Sequence, residues 1–157
     1  MIGKLTVVKG DATEPIGEGI KIIPHVCNDR HRFGAGFVLA LKRKWPEVET
    51  VYREMFENEK GELGEISIKQ VEDNIYVVNM IAQHGTGEYE GKPIRYGSLA
   101  FCMEKVAMLT KKFSKASIHC PKFGCGLSKG DFGFVKQLII EIWINEGIDV
   151  TIYEFNG

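Results

Sequence analysis

Apolar residues along this chain fall into short, nearly continuous runs, separated by stretches with helical spacing. Leu5-Thr6-Val7-Val8 predicts a strand that ends at Gly10-Asp11. Ile20 to Cys27 is almost unbroken apolar sequence, the pattern of a strand buried on both faces. Ala35 to Lys44 predicts a helix, stopped by Trp45-Pro46. A second helix follows, because Val48, Val51, Tyr52, Met55 and Phe56 lie at i, i+3, i+4, i+7 and i+8. Gly61 and Gly64 mark the turn out of it. Glu65 to Val71 alternates toward one buried face, Asp73-Asn74 predicts a tight turn, and Ile75 to Ala82 predicts a further buried strand. Gly85 to Lys92 is polar and glycine-containing, hence a loop. Leu99, Cys102, Met103 and Val106 give a helical face, and Ser117 to Cys120 a short strand. Val135, Leu138, Ile139, Ile142 and Trp143 give the last helix, with Gly147 as its C-cap, and Asp149 to Phe155 closes the chain as a strand. Buried strands separated by helices predict an α/β fold, a three-layer α/β/α sandwich with a mixed central sheet. No linker, repeat or low-complexity stretch divides it, so residues 1–157 read as a single domain.

Composition narrows the classes of function. With 44% hydrophobic and 26% charged residues the chain is of ordinary globular type, and a net charge of −1 gives no electrostatic case for nonspecific nucleic-acid binding. Met1 to Thr6 lacks the apolar core of a signal peptide, and no apolar run reaches the roughly 20 residues that span a bilayer. These features predict a cytoplasmic protein with no membrane partner. Cys27, Cys102, Cys120 and Cys125 form no C-x-x-C pair, and His25, His31, His84 and His119 show no metal-binding spacing. Neither a metal nor a cofactor is expected.

Chemistry concentrates in two glycine loops. Pro121-Lys122-Phe123-Gly124-Cys125-Gly126-Leu127 lies between a strand-like run and a helix-like run, and so does Phe33-Gly34-Ala35-Gly36-Phe37. A strand, a glycine loop and a helix make a place where backbone amides surround a phosphate, since glycine has no Cβ to keep oxygens away and permits φ > 0. Two such loops point to a ligand with more than one phosphate. They lack the G-K-[ST] of a P-loop nucleotide hydrolase, which ranks last among the alternatives. Ligands of such sheets sit at the carboxyl ends of strands, where both loops and Asn28-Asp29 fall. Near these ends His25, His84 and Asp131 are the candidates for acid–base work. Asp131 is equally placed to cap the helix that follows it. Cys125 fits as a small side chain beside a ligand, although adjacent amides could lower its pKa. His119 reads as core. Arg30, His31 and Arg32 read either as a solvated turn or as a contact for a terminal phosphate.

These motifs together resemble a macro domain over nearly the whole chain. Val8-Lys9-Gly10-Asp11-Ala12-Thr13 resembles the family's opening strand and turn, and His25-Val26-Cys27-Asn28 through Gly34-Ala35-Gly36 its second strand and first loop. Lys122 to Leu127 resembles the second loop, and Val150 to Phe155 the terminal strand. The resemblance implies an ADP-ribose site. On that basis Asp11 accepts from the adenine amino group, the Ala12 amide contacts the ring, and Phe155 lies beside it. Gly34, Ala35 and Gly36 approach the diphosphate and distal ribose. The loop of Phe123, Gly124, Cys125, Gly126 and Leu127 wraps the diphosphate from the other side, while Asn28 faces the distal ribose.

His25-x-Cys27-Asn28 with Phe33 to Gly36 is similar to the fungal ADP-ribose-1''-phosphate phosphatase. Ile81 to His84 and Ser117 to Pro121 are similar to the macro domain of a chromatin-remodelling helicase, mainly a binding module. The family's lysine-dependent glycohydrolases carry a lysine after the fourth strand and an aspartate after G-C-G-L. Here those places hold Met80 to His84 and Ser128, which argues against that chemistry. Gly-Ala-Gly in place of three consecutive glycines likewise argues against the common ADP-ribosyl hydrolase type. The expected partner is ADP-ribose, ADP-ribose-1''-phosphate or an ADP-ribosylated protein. Two classes stay open: an enzyme acting on the distal group through a positioned water, and a module that only binds.

Overall fold

The computed structural model describes residues 1–155, and its secondary structure alternates as the apolar pattern predicts. In chain order the elements are β1 (Leu5–Lys9), β2 (Ile20–Asn28), α1 (Phe37–Lys44), α2 (Glu47–Glu57), β3 (Ile66–Glu72), β4 (Ile75–Gln83), α3 (Tyr96–Thr110), β5 (Ala116–Pro121), α4 (Phe132–Ile142) and β6 (Val150–Glu154). The strands form one six-stranded sheet in the order β1-β6-β5-β2-β4-β3. Every pairing is parallel except β3 with β4, which makes the sheet mixed. Asp73-Asn74 is the turn of that hairpin.

The two faces of β2 explain the layers. Ile22 and Ile23 are both fully buried, yet successive strand residues point to opposite faces. Ile22 packs with Leu99, Met103, Ile139 and Trp143 on the α3–α4 side. Ile23 packs with Leu41, Val48 and Tyr52 on the α1–α2 side. A strand covered on both faces must be apolar at consecutive positions, which is why Ile20 to Cys27 reads as a continuous run.

Local deviations from the sequence pattern have local causes. The first helix starts at Phe37 rather than Ala35, because Gly36 adopts φ 77°, ψ −146°, outside helical space. Gly147 does cap with a left-handed φ of 84°, but it ends a short 3-10 turn (Ile144–Glu146) that follows α4. In β3 the alternation does not give one buried face. This is the sheet edge, and Ile68 stays 40% exposed.

One buried polar network supports the segment between β1 and β2. Tyr153 Oη accepts from the Ile16 amide at 2.9 Å, so its own proton goes to His119 Nδ1, 2.7 Å away. The other ring nitrogen, Nε2, then donates to Ser117 Oγ at 2.8 Å. Burial, with the nearby Lys21 charge, lowers the pKa of His119 to about 4 and keeps it neutral. The network holds the 10–19 segment, which carries Asp11 and Ala12, against the strand ends. None of the helices is long and apolar enough to cross a membrane.

Candidate ligand-binding site

At the carboxyl ends of β2 and β5 lies a cleft of about 650 Å³, bordered on one side by residues from Asn28 to Val38 and on the other by Pro121 to Ser128. Its size falls within the roughly 300–1,000 Å³ of small-molecule sites. Both glycine loops line it. Gly124 (φ 76°) and Gly36 (φ 77°) hold backbone conformations that side-chain-bearing residues rarely adopt. Gly34 and Gly126 face open space. Among the described residues, the amides of Gly34, Ala35 and Gly36 and those of Gly124, Cys125, Gly126 and Leu127 donate to no protein backbone or side-chain acceptor. Two opposed rows of free amides in one cleft form an anion cradle that needs no arginine.

The β2–α1 loop is a braced structure. Asn28 Oδ1 accepts from the Arg30 amide (2.9 Å), the Arg32 amide (3.3 Å) and Tyr52 Oη (3.0 Å). Its Nδ2 donates to Arg32 O at 2.9 Å. An amide nitrogen has two hydrogens, so one remains for a ligand in the cleft Asn28 borders. Asp29 ties this loop to the one after β4: its carboxylate accepts from His84 Nδ1 (2.7 Å) and from the Gly85 amide (2.8 Å).

Of the three candidate acid–base residues, only His25 borders the cleft. It is 1% exposed and flanked by Phe33 and Phe37. Its Nε2 lies 2.5 Å from Asn79 Oδ1. Asn79 Nδ2 donates to Val48 O (3.1 Å) and Ser67 Oγ (3.0 Å), which makes Oδ1 its acceptor atom. The His25 proton therefore sits on Nε2 and the lone pair on Nδ1. Burial lowers this pKa to about 4, partly offset by the Asn79 hydrogen bond. His84 lies outside the cleft lining, paired with Asp29 and stacked on Tyr89 at 4.1 Å. Asp131 is the α4 N-cap, accepting from the Phe134 amide at 3.1 Å, and it too lies outside the lining. The expectation of a depressed Cys125 pKa is corrected: burial first, then the Asp131 charge, raises it, and its thiol donates to Phe123 O at 3.3 Å.

The remaining predicted residues sit at the β1–β6 end of the sheet. Asp11 Oδ1 accepts from the Thr13 amide and hydroxyl, each at 2.8 Å, an arrangement that shapes the turn and leaves Oδ2 without a partner among the described residues. Ala12 is buried in this turn, and Phe155, 69% exposed, follows β6, the neighbour of β1. None of the three lines the cleft itself; they flank it along the strand ends.

Known structures of similar sequence decide the family. A macrodomain protein from Streptomyces coelicolor is 38% identical, with a TM-score of 0.84 over 96% of this chain and 99% of that one. The chain belongs to the macrodomain family. A protein of unknown function from Bacteroides thetaiotaomicron is 42% identical, with a TM-score of 0.92 over 96% and 98% of the two chains. Thermosipho africanus DarTG, solved with ADP-ribose, shares the fold at 17% identity and a TM-score of 0.74, over 96% of this chain and 41% of that one. Among curated relatives, mouse chromodomain-helicase-DNA-binding protein 1-like is 26% identical over 96% of this chain, which spans only 18% of that protein's length. Human ADP-ribose glycohydrolase OARD1 is 24% identical over 96% of this chain and 91% of its own length. No protein-family profile matches.

The macrodomain cleft also contains residues that sequence patterns do not single out. Ser128 Oγ donates to Gln83 Oε1 at 2.5 Å and so joins the second glycine loop to the end of β4. Lys42 and Arg53 border the cleft from α1 and α2. On a helical wheel they are ordinary surface cations, and only the tertiary placement of the two helices brings them here.

Proposed function

We propose that this macrodomain binds ADP-ribose, with the diphosphate between the two rows of free amides. The observation that carries the reading is the pair of opposed glycine loops lining one cleft, their amides unused by the protein. Asp11 Oδ2 and the Ala12 amide would take the adenine, with Phe155 beside it, and the free Asn28 Nδ2 hydrogen the distal ribose. The ADP-ribose complex of DarTG and the name of OARD1 support this ligand class.

Hydrolysis of the distal group is the second reading, with ADP-ribose-1''-phosphate as the phosphatase substrate. It is favoured by one observation: His25 borders the cleft as a neutral imidazole with an unprotonated Nδ1. That nitrogen would accept a proton from a water positioned at the distal ribose. His84 and Asp131, held in the Asp29 pair and the α4 cap, would contribute positioning of their loops. A base with a pKa near 4 is weak, which makes binding the primary reading.

The test is incubation with ADP-ribose-1''-phosphate and with an ADP-ribosylated protein, following released phosphate and released ADP-ribose separately. Phosphate release that falls roughly 10²–10⁴-fold in His25→Ala, with KM little changed, supports the phosphatase. Release of ADP-ribose from protein instead makes it an ADP-ribosyl hydrolase. Saturable binding without either product makes it a binding module.

A further inference from the structure

The cleft carries more positive charge than a diphosphate held by amides requires. His31, Arg32, Lys42 and Arg53 border it on the α1–α2 side and Lys122 on the other, and no aspartate or glutamate lines it. In a chain of net charge −1 this is a strong local asymmetry. The basic wall is also braced. Glu49 holds Lys42 (3.2 Å) and Arg53 (2.7 Å) together, and Arg53 Nη1 donates to His31 O at 3.0 Å. His31 has φ 62°, a conformation that costs a non-glycine residue roughly 1–3 kcal/mol and persists only where the surroundings enforce it. Its ring packs on Phe56 at 4.7 Å. Arg32 is fixed through its backbone by Asn28 on both its amide and its carbonyl. The Arg32 guanidinium itself has no carboxylate partner among the described residues.

The position of this wall indicates what it reads. It shares Asn28 with the end of the cleft assigned above to the distal ribose, and the amide rows already serve the diphosphate. Resting on that ADP-ribose reading, we infer that Arg32, backed by Lys42 and Arg53, is the specificity-determining group for a phosphate carried on the distal ribose. A guanidinium can bind such a phosphate with two parallel hydrogen bonds, which an ammonium cannot match. Lys42 and Arg53 supply the field that favours the dianion, and Glu49 keeps them from turning outward into solvent.

The experiment compares dissociation constants for ADP-ribose, ADP-ribose-1''-phosphate and inorganic phosphate, at low and high salt, with chromatography to confirm that the ligands stay intact. The wild type should bind the 1''-phosphate on the order of tenfold more tightly than ADP-ribose at low salt, with the advantage shrinking as salt rises. Inorganic phosphate alone should bind far more weakly than either nucleotide. Arg32→Ala should erase most of the difference between the two nucleotides, Lys42→Ala part of it, and Arg32→Lys should restore it only partially. Equal affinity of the wild type for both nucleotides, or an advantage that survives the Arg32→Ala/Lys42→Ala double variant, overturns the inference while leaving ADP-ribose binding standing. Failure of ADP-ribose itself to bind removes the underlying reading and the inference with it.

Discussion

A Cβ placed on Gly36 would lie 3.4 Å from Leu127 Cδ1, so the first and second glycine loops touch over the cleft. Gly36 meets this contact at φ 77°, ψ −146°, a region open essentially to glycine alone, and the free amide rows lie on either side of it. Closing the loops by direct contact makes the cradle a property of the fold rather than of a bound ligand. Gly36→Ala should therefore cost about 1–3 kcal/mol of stability. Gly34→Ala, where a Cβ meets nothing within 4 Å, should change stability by no more than about 0.5 kcal/mol. Urea denaturation of the two variants checks the contrast, and equal losses would show that Gly36 is not under backbone constraint.

Gly126→Val separates folding from binding. Gly126 borders the cleft and its Cβ direction is open, so the branched side chain fits the fold but occupies the diphosphate's space. The expected result is a near-native melting temperature with ADP-ribose binding abolished. A folded variant that binds normally would move the ligand away from this loop.

Asp11 offers a test at the adenine end. Asp11→Asn retains an oxygen for the Thr13 turn and replaces the other by a donor that the adenine amino group cannot use. Loss of a hydrogen bond to a charged acceptor weakens binding by about 1.5–3 kcal/mol, on the order of tenfold or more. Stability should hold in this variant, whereas Asp11→Ala should lose both. Unchanged ADP-ribose affinity in Asp11→Asn would contradict the adenine assignment.

Acid should destabilise this protein through its two buried, neutral histidines. His25 and His119 have folded-state pKa values of about 4, lowered by burial from an ordinary 6.5. Between those values the unfolded chain binds protons that the folded one refuses, so stability is complete above about pH 6.5 and declines as pH falls toward 4. The slope should reach up to about 1.4 kcal/mol per pH unit for each histidine. Melting temperatures between pH 7.5 and 4.5 measure this, and His119→Gln should flatten the profile. A flat wild-type profile would mean that neither histidine is held neutral.

The sequence made the layers legible because a strand covered on both faces must be apolar without interruption, as Ile22 and Ile23 show from opposite cores. Both glycine loops were legible for a similar reason: a backbone conformation forbidden to other residues leaves glycine as its mark. What escaped was whatever depends on packing across elements. His84 sits at a strand end just as His25 does, yet only the fold reveals that Asp29 holds one while the other borders the cleft. Asp131 could be read as cap or carboxylate, and the Phe134 amide shows it capping. Lys42 and Arg53 carry no local signal, because their meeting at Glu49 is set by how α1 packs on α2.

Calorimetric titration of the wild type with ADP-ribose, run beside Gly126→Val, tests the central claim most directly. The account predicts saturable one-site binding for the wild type and no binding heat for the folded variant. No binding heat and no shift in melting temperature for the wild type at millimolar ADP-ribose would contradict it.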